Sequence, residues 1–390
     1  MTTRGDNLLV IHGGGPTAVI NASLYGAVRA ALDAPGVGAV LGARGGVAGL
    51  ATGDFVDFRS VPESDLALLP STPSSAIGTG RDAVDEEGYR RLAEAVGRHG
   101  IRWVLMTGGN GSMDTCGKIY HACCEAGLEV GVMGIPKTMD NDIAVTDHAP
   151  GFGSAARFVA QATSEVCCDV KGLPIHIVVL EVMGRSAGWV AASSSLASDA
   201  GIPGPDLIYL PERDFNEDEF LADVQKLIDE KRSGVVVVSE GLHYADGTPI
   251  VEPVMTVGRA TYFGDVSAHL SNLIIKRLGY KSRSEKPGLV GRASIAYQSS
   301  VDRDEAIRAG REAVLAALEG DSGKMIGFER EDGPDYAVRC VRIPIEQVML
   351  DEQHVPDRFI NERGNGVTEE FRAWCRPLIG EPLPRLVSFA

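Results

Sequence analysis

The fold is decided by residues 106–112, Met-Thr-Gly-Gly-Asn-Gly-Ser, and by residues 134–142, Gly-Ile-Pro-Lys-Thr-Met-Asp-Asn-Asp. Each stretch follows an apolar run, at 103–106 and at 130–133, that is typical of a buried strand. Glycines let a backbone approach a ligand closely, and the N–H groups at a helix start favour an anion. The second stretch adds a lysine, a threonine and two aspartates. Together the two stretches indicate a phosphoryl-transfer site at consecutive strand ends.

Length and composition indicate a globular protein of two domains. The chain has 390 residues, of which 44% are hydrophobic, 23% are charged and 47 are glycines. Its formal net charge of −16 argues against nucleic acid as a partner, because phosphate backbones favour basic surfaces. Seven cysteines without metal-ligand spacing predict reduced thiols. Since apolar runs are short and the first residues lack a signal-peptide core, we expect no membrane partner and a cytoplasmic location.

Strands and helices alternate along the chain. Residues 8–11 read as a buried strand, followed by a turn of three glycines and by Thr17, which we expect to cap a helix over 18–34. The Gly-x-Gly-x-x-Gly pattern of dinucleotide-binding proteins is absent from this turn, which argues against NAD. Further strands are predicted at 39–43, 177–182, 207–210 and 235–238, helices at 85–99, 113–126, 151–166, 216–231, 269–278, 302–318 and 369–375, a hairpin at 324–344, and loops at 69–80 and 283–292.

This alternation predicts an α/β protein with parallel sheets covered by helices on both faces. We expect two Rossmann-like, three-layer αβα domains that face each other across an active-site cleft. Ligands of such sheets bind at the carboxyl ends of the strands, and every motif named above lies at a predicted strand end. We therefore expect the residues that bind and transfer the phosphoryl group to lie on loops that follow strands.

Five motifs resemble the phosphofructokinase family in their order and spacing, over most of the chain up to about residue 320. They are Gly14-Gly15-Pro16 with Ile20-Asn21, Gly108–Ser112, Pro136–Asp142, Glu181–Arg185 and the strand end at Glu240. The resemblance implies the phosphofructokinase fold and a glycolytic sugar-phosphate phosphotransferase. It also implies a donor-binding domain from residues 1–151 and about 292–345, and a sugar-phosphate-binding domain from about 152–291 and 346–390.

The resemblance implies four catalytic residues. Asp140 would be the general base that takes the proton from the 1-hydroxyl of fructose 6-phosphate, and a carboxylate beside Lys137 stays ionised for this task. Thr138 would hydrogen-bond the sugar or the transferred phosphoryl group. Arg185 would neutralise charge on that group, where a cation at 4 Å is worth about 4 kcal/mol at an effective dielectric constant near 20.

The same resemblance implies the binding residues and the cofactor. The phosphoryl donor would lie on Gly15, Arg81, Gly108, Gly109, Asn110, Gly111 and Ser112, and the sugar phosphate on Met183, Gly184, Glu240, Arg283 and Arg292. Mg²⁺ is the implied cofactor, with Asn110 and Asp142 as its protein ligands. Sugar sites of the family are completed across subunits, so a homodimer or homotetramer is implied.

The identity of the donor rests on a mixed signature. In the family, aspartate at the position of Gly111 and lysine at that of Lys137 accompany pyrophosphate, whereas glycine at both accompanies ATP. Lys137, Thr115 and Asp82 argue against ATP, and Gly111 leaves room for an α-phosphate. Pyrophosphate is therefore favoured over ATP. Asn110 replaces an aspartate that lies near magnesium in ATP-dependent members, and an amide binds this hard cation less well.

The identity of the acceptor sugar depends on two further departures from the family pattern. His176 stands where bacterial members present an arginine to the neighbouring subunit's sugar phosphate, and Leu289 replaces a histidine that contacts the sugar. An imidazole that is mostly neutral holds phosphate less firmly than a guanidinium does. Fructose 6-phosphate is the main prediction; an ATP-dependent or specialised kinase of another sugar phosphate, such as sedoheptulose 7-phosphate, and a non-catalytic sugar-phosphate sensor are the alternatives.

Overall fold

The structure is a computed structural model that describes residues 6–257 and 260–390. Its strands are β1 (Asn7–His12), β2 (Val40–Ala43), β3 (Phe55–Asp57), β4 (Ile101–Gly108), β5 (Gly131–Pro136), β6 (Ile177–Val182), β7 (Leu207–Tyr209), β8 (Gly234–Ser239), β9 (Pro253–Val257), β10 (Ala260–Phe263), β11 (Ser282–Glu285), β12 (Lys324–Arg330) and β13 (Val338–Pro344). Its helices are α1 (Ile20–Asp33), α2 (Val47–Thr52), α3 (Glu63–Leu66), α4 (Glu86–Arg98), α5 (Asn110–Glu125), α6 (Phe152–Gly172), α7 (Trp189–Ser193), α8 (Glu217–Lys231), α9 (Val266–Leu278), α10 (Val290–Ala293), α11 (Ser300–Leu318) and α12 (Glu369–Cys375).

The chain divides into two compact units. The first contains residues 1–138, 142–151 and 302–353, and the second contains residues 139–141, 152–301 and 354–390. The last two changes of unit thus fall at 301/302 and 353/354, rather than near 292 and 346. The donor and sugar-phosphate roles of the two units stay predictions.

The first unit is built on a seven-stranded sheet in the order β13-β12-β5-β4-β1-β2-β3. The strands from β12 to β2 run parallel, whereas β13 and β3 are antiparallel to their neighbours at the two edges. β1 and β4 are paired with His12 opposite Thr107, and β4 and β5 with Gly108 opposite Pro136. This register brings the carboxyl ends of the three central strands to one edge of the sheet.

Alternate residues of β1 are buried on opposite faces of this sheet, because successive side chains of a strand point to opposite sides. Leu9 and Ile11 pack with α4 and α5, and Leu8 and Val10 pack with α1 and α11. A strand covered on both faces reads as a continuous apolar run, which explains the unbroken sequence at 8–11. The unit therefore has the predicted three layers.

The second unit is built on a four-stranded parallel sheet in the order β11-β6-β8-β7. Val236 and Val238 pack on one face with side chains of α8 and α9. The other face contacts α6 and α7. β9 and β10 form a separate antiparallel pair. β6 and β8 are in register with Val182 opposite Ser239, so their carboxyl ends lie side by side.

Several sequence-based predictions of local structure are wrong. The first helix begins at Ile20 rather than at residue 18, and Thr17 does not cap it, since the side chain of Thr17 accepts from Val19 N at 3.4 Å within the preceding turn. The helix after β4 begins at Asn110 rather than at residue 113, with Gly109 as its N-cap and Gly111 in its first turn. Residues 283–292 include most of β11 and α10, and only residues 286–289 between them form a loop. Within the described residues, no helix has both the length and the apolar character that a bilayer crossing needs.

Candidate active site

Three loops meet at the carboxyl edge of the first sheet, because the strands that precede them are neighbours. The turn after β1 is bound to β4, with Gly13 N donating to Thr107 O at 2.8 Å. The turn after β5 is bound to the same strand, with Lys137 N donating to Gly108 O at 3.0 Å. Gly14 N donates to Gly80 O at 3.0 Å, and this bond brings in the exposed Arg81. The structure thus brings together the residues predicted to hold the donor.

Close approach of the backbones explains why this edge is rich in glycine. A Cβ on Gly108 would lie 2.1 Å from the Oγ of Ser112, and a Cβ on Gly13 would lie 2.3 Å from the same atom. Gly14 has a φ of +76°, which side chains rarely tolerate. A Cβ on Gly111 would meet nothing within 4 Å, so this glycine leaves open space.

Lys137 is held inside this edge. Its side chain is 3% exposed, and its Nζ donates to the carbonyl oxygen of Gly15 at 2.6 Å. Burial, together with the positive charge of Lys137, lowers the pKa of His12 to about 3. His12 is therefore a neutral imidazole at physiological pH, and its Nδ1 lies 2.8 Å from the Oγ of Ser75. The ammonium of Lys137 lies close to the glycine loops, since a Cβ on Gly14 would be 3.7 Å from its Nζ.

Thr138, Asp142 and Asn110 form an oxygen-rich group beside the lysine. Thr138 Oγ1 donates to Asp142 Oδ1 at 2.9 Å, and Asn110 Nδ2 donates to the carbonyl oxygen of Asp142 at 3.0 Å. The Oδ1 of Asn110 is buried and has no hydrogen-bond partner among the residues that the structure describes. Among the residues that the structure describes, no group of three or more His, Cys, Asp or Glu side chains is arranged to hold a metal ion.

Asp140, the predicted base, belongs to the second unit together with Met139 and Asn141. It is half-buried, and Asn141 after it has a φ of +55°, a conformation that asparagine adopts more readily than most residues. The chain therefore passes from the first unit to the second and back within residues 138–142. The predicted catalytic residues divide accordingly, with Lys137 and Thr138 on the first unit and Asp140 and Arg185 on the second.

In the second unit, the ends of β6 and β8 bring three predicted residues together. Glu240 Oε1 accepts from Gly184 N at 3.4 Å and from Arg185 N at 3.3 Å. Gly184 has a φ of +147° and Arg185 a φ of +50°, so the loop after β6 turns sharply around this carboxylate. Burial raises the pKa of Glu240, and the two N–H groups oppose the shift. The guanidinium-bearing side chain of Arg185 is exposed, and Met183 is half-buried.

An ion pair between a buried glutamate and an exposed lysine lies near this carboxylate and was missed by the sequence analysis. Glu181 is 1% exposed, and its Oε1 lies 2.7 Å from the Nζ of Lys286, which also binds Asp265 at 2.8 Å. The charges of Glu181 and Lys286 both act on Glu240. Lys286 belongs to the basic stretch at 283–292, but only the pairing of β11 with β6 reveals its partner.

The remaining predicted sugar-phosphate residues lie elsewhere on this unit. His176 precedes β6, and so lies about 20 Å from the strand's carboxyl end at roughly 3.3 Å per residue. It is buried, and burial followed by the charges of Arg283 and Lys281 lowers its pKa. Arg283 pairs with Val178 near the same end of the sheet. The structure thus places Arg283 near His176 rather than near Glu240. Arg292 lies on α10.

Parallel sheets with glycine-rich loops and a buried lysine at their strand ends are typical of a phosphotransferase. Sequence comparison gives the family. The family profile described as phosphofructokinase matches residues 7–317. The chain belongs to the phosphofructokinase family. The resemblance to this family is confirmed, and so is the predicted α/β class with parallel sheets.

Individual relatives cover nearly the whole chain. The pyrophosphate–fructose 6-phosphate 1-phosphotransferase of Rhodospirillum rubrum is 37% identical over 387 residues, which cover 97% of this chain and 95% of that protein. The sulfofructose kinase of Alkalicoccus urumqiensis is 33% identical over 375 residues, which cover 95% and 94%. The crystal structure of a pyrophosphate-dependent phosphofructokinase from Nitrosospira multiformis has a TM-score of 0.89 and 32% identity, over 97% of this chain and 93% of that one.

Proposed function

We propose that the protein transfers a phosphoryl group from pyrophosphate to the 1-hydroxyl of fructose 6-phosphate. The observation that carries the donor assignment is the buried ammonium of Lys137, bound to Gly15 O within the glycine loops. A compact cation there matches the charge of a short polyphosphate. The names of the relatives from Rhodospirillum rubrum and Nitrosospira multiformis support the same donor.

The transfer needs one proton acceptor and several cations. As the 1-oxygen of the sugar bonds to phosphorus, the P–O bond to the departing phosphate breaks and the hydroxyl proton passes to Asp140. Lys137 and Arg185 stabilise the charge on the phosphoryl group, and Thr138 orients it. The main-chain N–H groups of residues 109–111, at the start of α5, bind the remaining phosphate, and Gly108, Ser112, Gly15 and Arg81 lie beside it.

Magnesium fits the oxygen atoms at this edge. The Oδ1 of Asn110, which has no hydrogen-bond partner within residues 6–257 and 260–390, and the carboxylate of Asp142 are the kind of ligands that this ion accepts. The donor and water would complete its coordination. When bound, the ion would neutralise the charge of the polyphosphate. Asn110 and Asp142 would hold it, and Thr138 would keep Asp142 oriented through its 2.9 Å hydrogen bond.

The sugar phosphate is assigned to the second unit. Glu240, fixed by the N–H groups of Gly184 and Arg185, would accept hydrogen bonds from sugar hydroxyls, and Met183 would pack beside them. Arg283, Arg292 and His176 would bind the existing phosphate. His176 and Arg283 lie at the far end of β6, so we propose that they act on a neighbouring subunit's site in a homodimer or homotetramer.

A kinase for a different anionic sugar is the second candidate. The exposed Leu289 and the buried His176 depart from the pattern for fructose 6-phosphate, and one relative is named a sulfofructose kinase. A tetrahedral anion other than phosphate could replace the 6-phosphate if the arginines alone define the anion site. ATP would be the donor to test with such acceptors.

The decisive experiment is a matrix of donors and acceptors. Pyrophosphate, ATP and ADP would each be assayed against fructose 6-phosphate, sedoheptulose 7-phosphate and sulfofructose, with magnesium and with EDTA. We expect turnover with pyrophosphate, fructose 6-phosphate and magnesium, and none with EDTA. Asp140→Asn should lower kcat about 10²–10⁴-fold with little change in binding, whereas Asp169→Asn on the exposed side of α6 should not. Turnover by Asp140→Asn at the wild-type rate would remove Asp140 from the mechanism.

A further inference from the structure

A buried histidine lies between two carboxylates in the first unit. His148 is 2% exposed, its Nδ1 lies 2.9 Å from Asp147 Oδ2, and its Nε2 lies 2.8 Å from Glu305 Oε2. We infer that His148 is a positioning residue whose imidazolium clamps residues 146–151 to the sheet and thereby fixes the loop of Lys137, Thr138 and Asp142. The kinetic part of this inference rests on the proposed function, and the structural part does not.

The ring must be cationic to make both contacts. Each nitrogen faces a carboxylate oxygen, and a neutral imidazole donates from only one nitrogen. Burial by itself lowers the pKa of His148, but the hydrogen bonds and charges of Asp147 and Glu305 outweigh it and raise the pKa to about 9. The clamp is therefore closed at neutral pH.

The charged groups around the ring form one connected network. Asp147 also binds the guanidinium of Arg330 on β12 at 3.0 Å. Glu305 on α11 accepts from the hydroxyl of Tyr336 at 2.7 Å. The guanidinium of Arg308, also on α11, lies 5.5 Å from the ring centre of Phe328. Each carboxylate thus has a second donor, which keeps it ordered while it holds the histidine.

The neighbouring contacts attach the histidine segment to β12. The ring stacks on Phe328 with centres 5.2 Å apart and planes 7° apart. Thr146 Oγ1 donates to the carbonyl oxygen of His148 at 2.9 Å and accepts from Phe328 N at 2.8 Å. The imidazolium is therefore bound by stacking on one strand and by charge to α11.

The segment then reaches the catalytic loop within three residues. Thr138 N donates to the carbonyl oxygen of Pro150 at 3.1 Å, and Gly151 forms an isolated parallel bridge with Thr138. Gly151 N donates to Asp302 Oδ1 at 2.8 Å. Asp302 and Glu305 lie one turn apart on α11 and so share a face. One face of α11 therefore binds the segment at His148 and at Gly151, and the main chain between them accepts the hydrogen bond from Thr138 N.

The imidazolium of His148 matters for catalysis because Thr138 must be held in a fixed position. Its hydroxyl orients Asp142 at 2.9 Å, so a displacement of the 146–151 segment would move both groups. Misplacement by about 1 Å can cost roughly 100-fold in rate. A residue that only stabilised the fold would leave the geometry of the loop unchanged in the molecules that remain folded.

Hydrogen exchange tests the structural part without any substrate. In His148→Gln at pH 7.5, the amides of Thr138 and Gly151 should exchange at least ten-fold faster than in the wild type, while those of β8 keep their rates. His121→Gln, a half-exposed histidine of α5, is the matched control and should change neither. Wild-type protection of Thr138 and Gly151 in a folded His148→Gln protein would overturn the inference.

The pH dependence of turnover tests the kinetic part. Wild-type kcat should fall above about pH 9 as the clamp loses its proton. Glu305→Gln keeps the hydrogen bonds but removes one negative charge, so this fall should move to lower pH. At pH 7.5, His148→Gln should lower kcat roughly 10–100-fold, with KM for both substrates nearly unchanged.

The outcomes separate the two levels of the proposal. If Glu305→Gln leaves the alkaline limb where it is, His148 does not position the loop. If His148→Gln fails to fold, Glu305→Gln and direct titration of the histidine ring signals by NMR decide the question, and a ring pKa near 6.5 would contradict the clamp. If the wild type transfers no phosphoryl group to any acceptor, the proposed function fails while hydrogen exchange still judges the clamp.

Discussion

The Nζ of Lys137 lies 2.6 Å from the carbonyl oxygen of Gly15, a residue 122 positions earlier in the chain. The two residues follow β5 and β1, and β4 lies between these strands. The lysine side chain therefore spans the end of the central strand and joins the two outer loops. This contact orients the ammonium toward the glycine loops and links the loop after β1 to the loop after β5.

Replacing this lysine should change the choice of donor. Lys137→Met removes the charge and keeps the aliphatic stem, so we expect kcat/KM for pyrophosphate to fall roughly 100-fold and that for ATP to fall less. Lys118→Met removes a lysine of α5 that pairs with Asp114 at 2.9 Å, and it serves as the control. Steady-state kinetics with both donors measure the effect. Equal losses for pyrophosphate and ATP would contradict the donor assignment.

Two glycines of one motif should respond oppositely to alanine. Gly108→Ala would place a methyl group 2.1 Å from the Oγ of the buried Ser112, and we expect it to lower the free energy of unfolding by about 2 kcal/mol. Gly111→Ala meets open space in the first turn of α5 and should raise the free energy of unfolding by about 0.5–1 kcal/mol. Denaturant unfolding of both variants checks this contrast, and comparable changes of the same sign would refute it.

The neutral state of His12 should make the protein sensitive to acid. Its folded pKa of about 3 lies below the unfolded value of about 6.5. Its stabilising contribution is therefore full above pH 6.5, and it declines by about 1.4 kcal/mol for each pH unit below that value. His12→Asn keeps an atom near Ser75 and cannot be protonated, so its unfolding free energy should depend less steeply on pH between 6.5 and 4.5. Parallel slopes for the two proteins would show that His12 does not titrate in this range.

The carboxylate of Glu240 should lower the stability of the fold and strengthen binding of the sugar. Burial raises its folded pKa, so the ionised carboxylate costs stability at pH values above the unfolded pKa. We expect Glu240→Gln to raise the melting temperature at pH 7.5 and to raise KM for fructose 6-phosphate at least ten-fold. KM for pyrophosphate should stay the same. Glu285→Gln, an exposed carboxylate of β11, is the control for loss of charge.

Local sequence was sufficient for most of the regular elements. The apolar runs at 8–11 and 235–238 are buried strands, and the hairpin at 324–344 is formed by β12 and β13. Their signals are periodicity and flanking glycines, which act over a few residues. The errors occur where neighbours in space override such signals, as at residues 283–292, where pairing with β6 makes a strand of a basic stretch.

The glycine motifs and the lysine–threonine–aspartate cluster were visible from spacing, since strand ends of a parallel sheet share an edge. The sequence by itself thus determined the α/β class, the family resemblance and the residue types that could carry phosphoryl transfer. Only the tertiary structure decided which groups are charged and how they are held. The neutral His12, the ion pair of Glu181 with Lys286 and the cationic His148 all depend on burial and on partners distant in sequence, because a group's protonation is set by its solvation and by the charges around it.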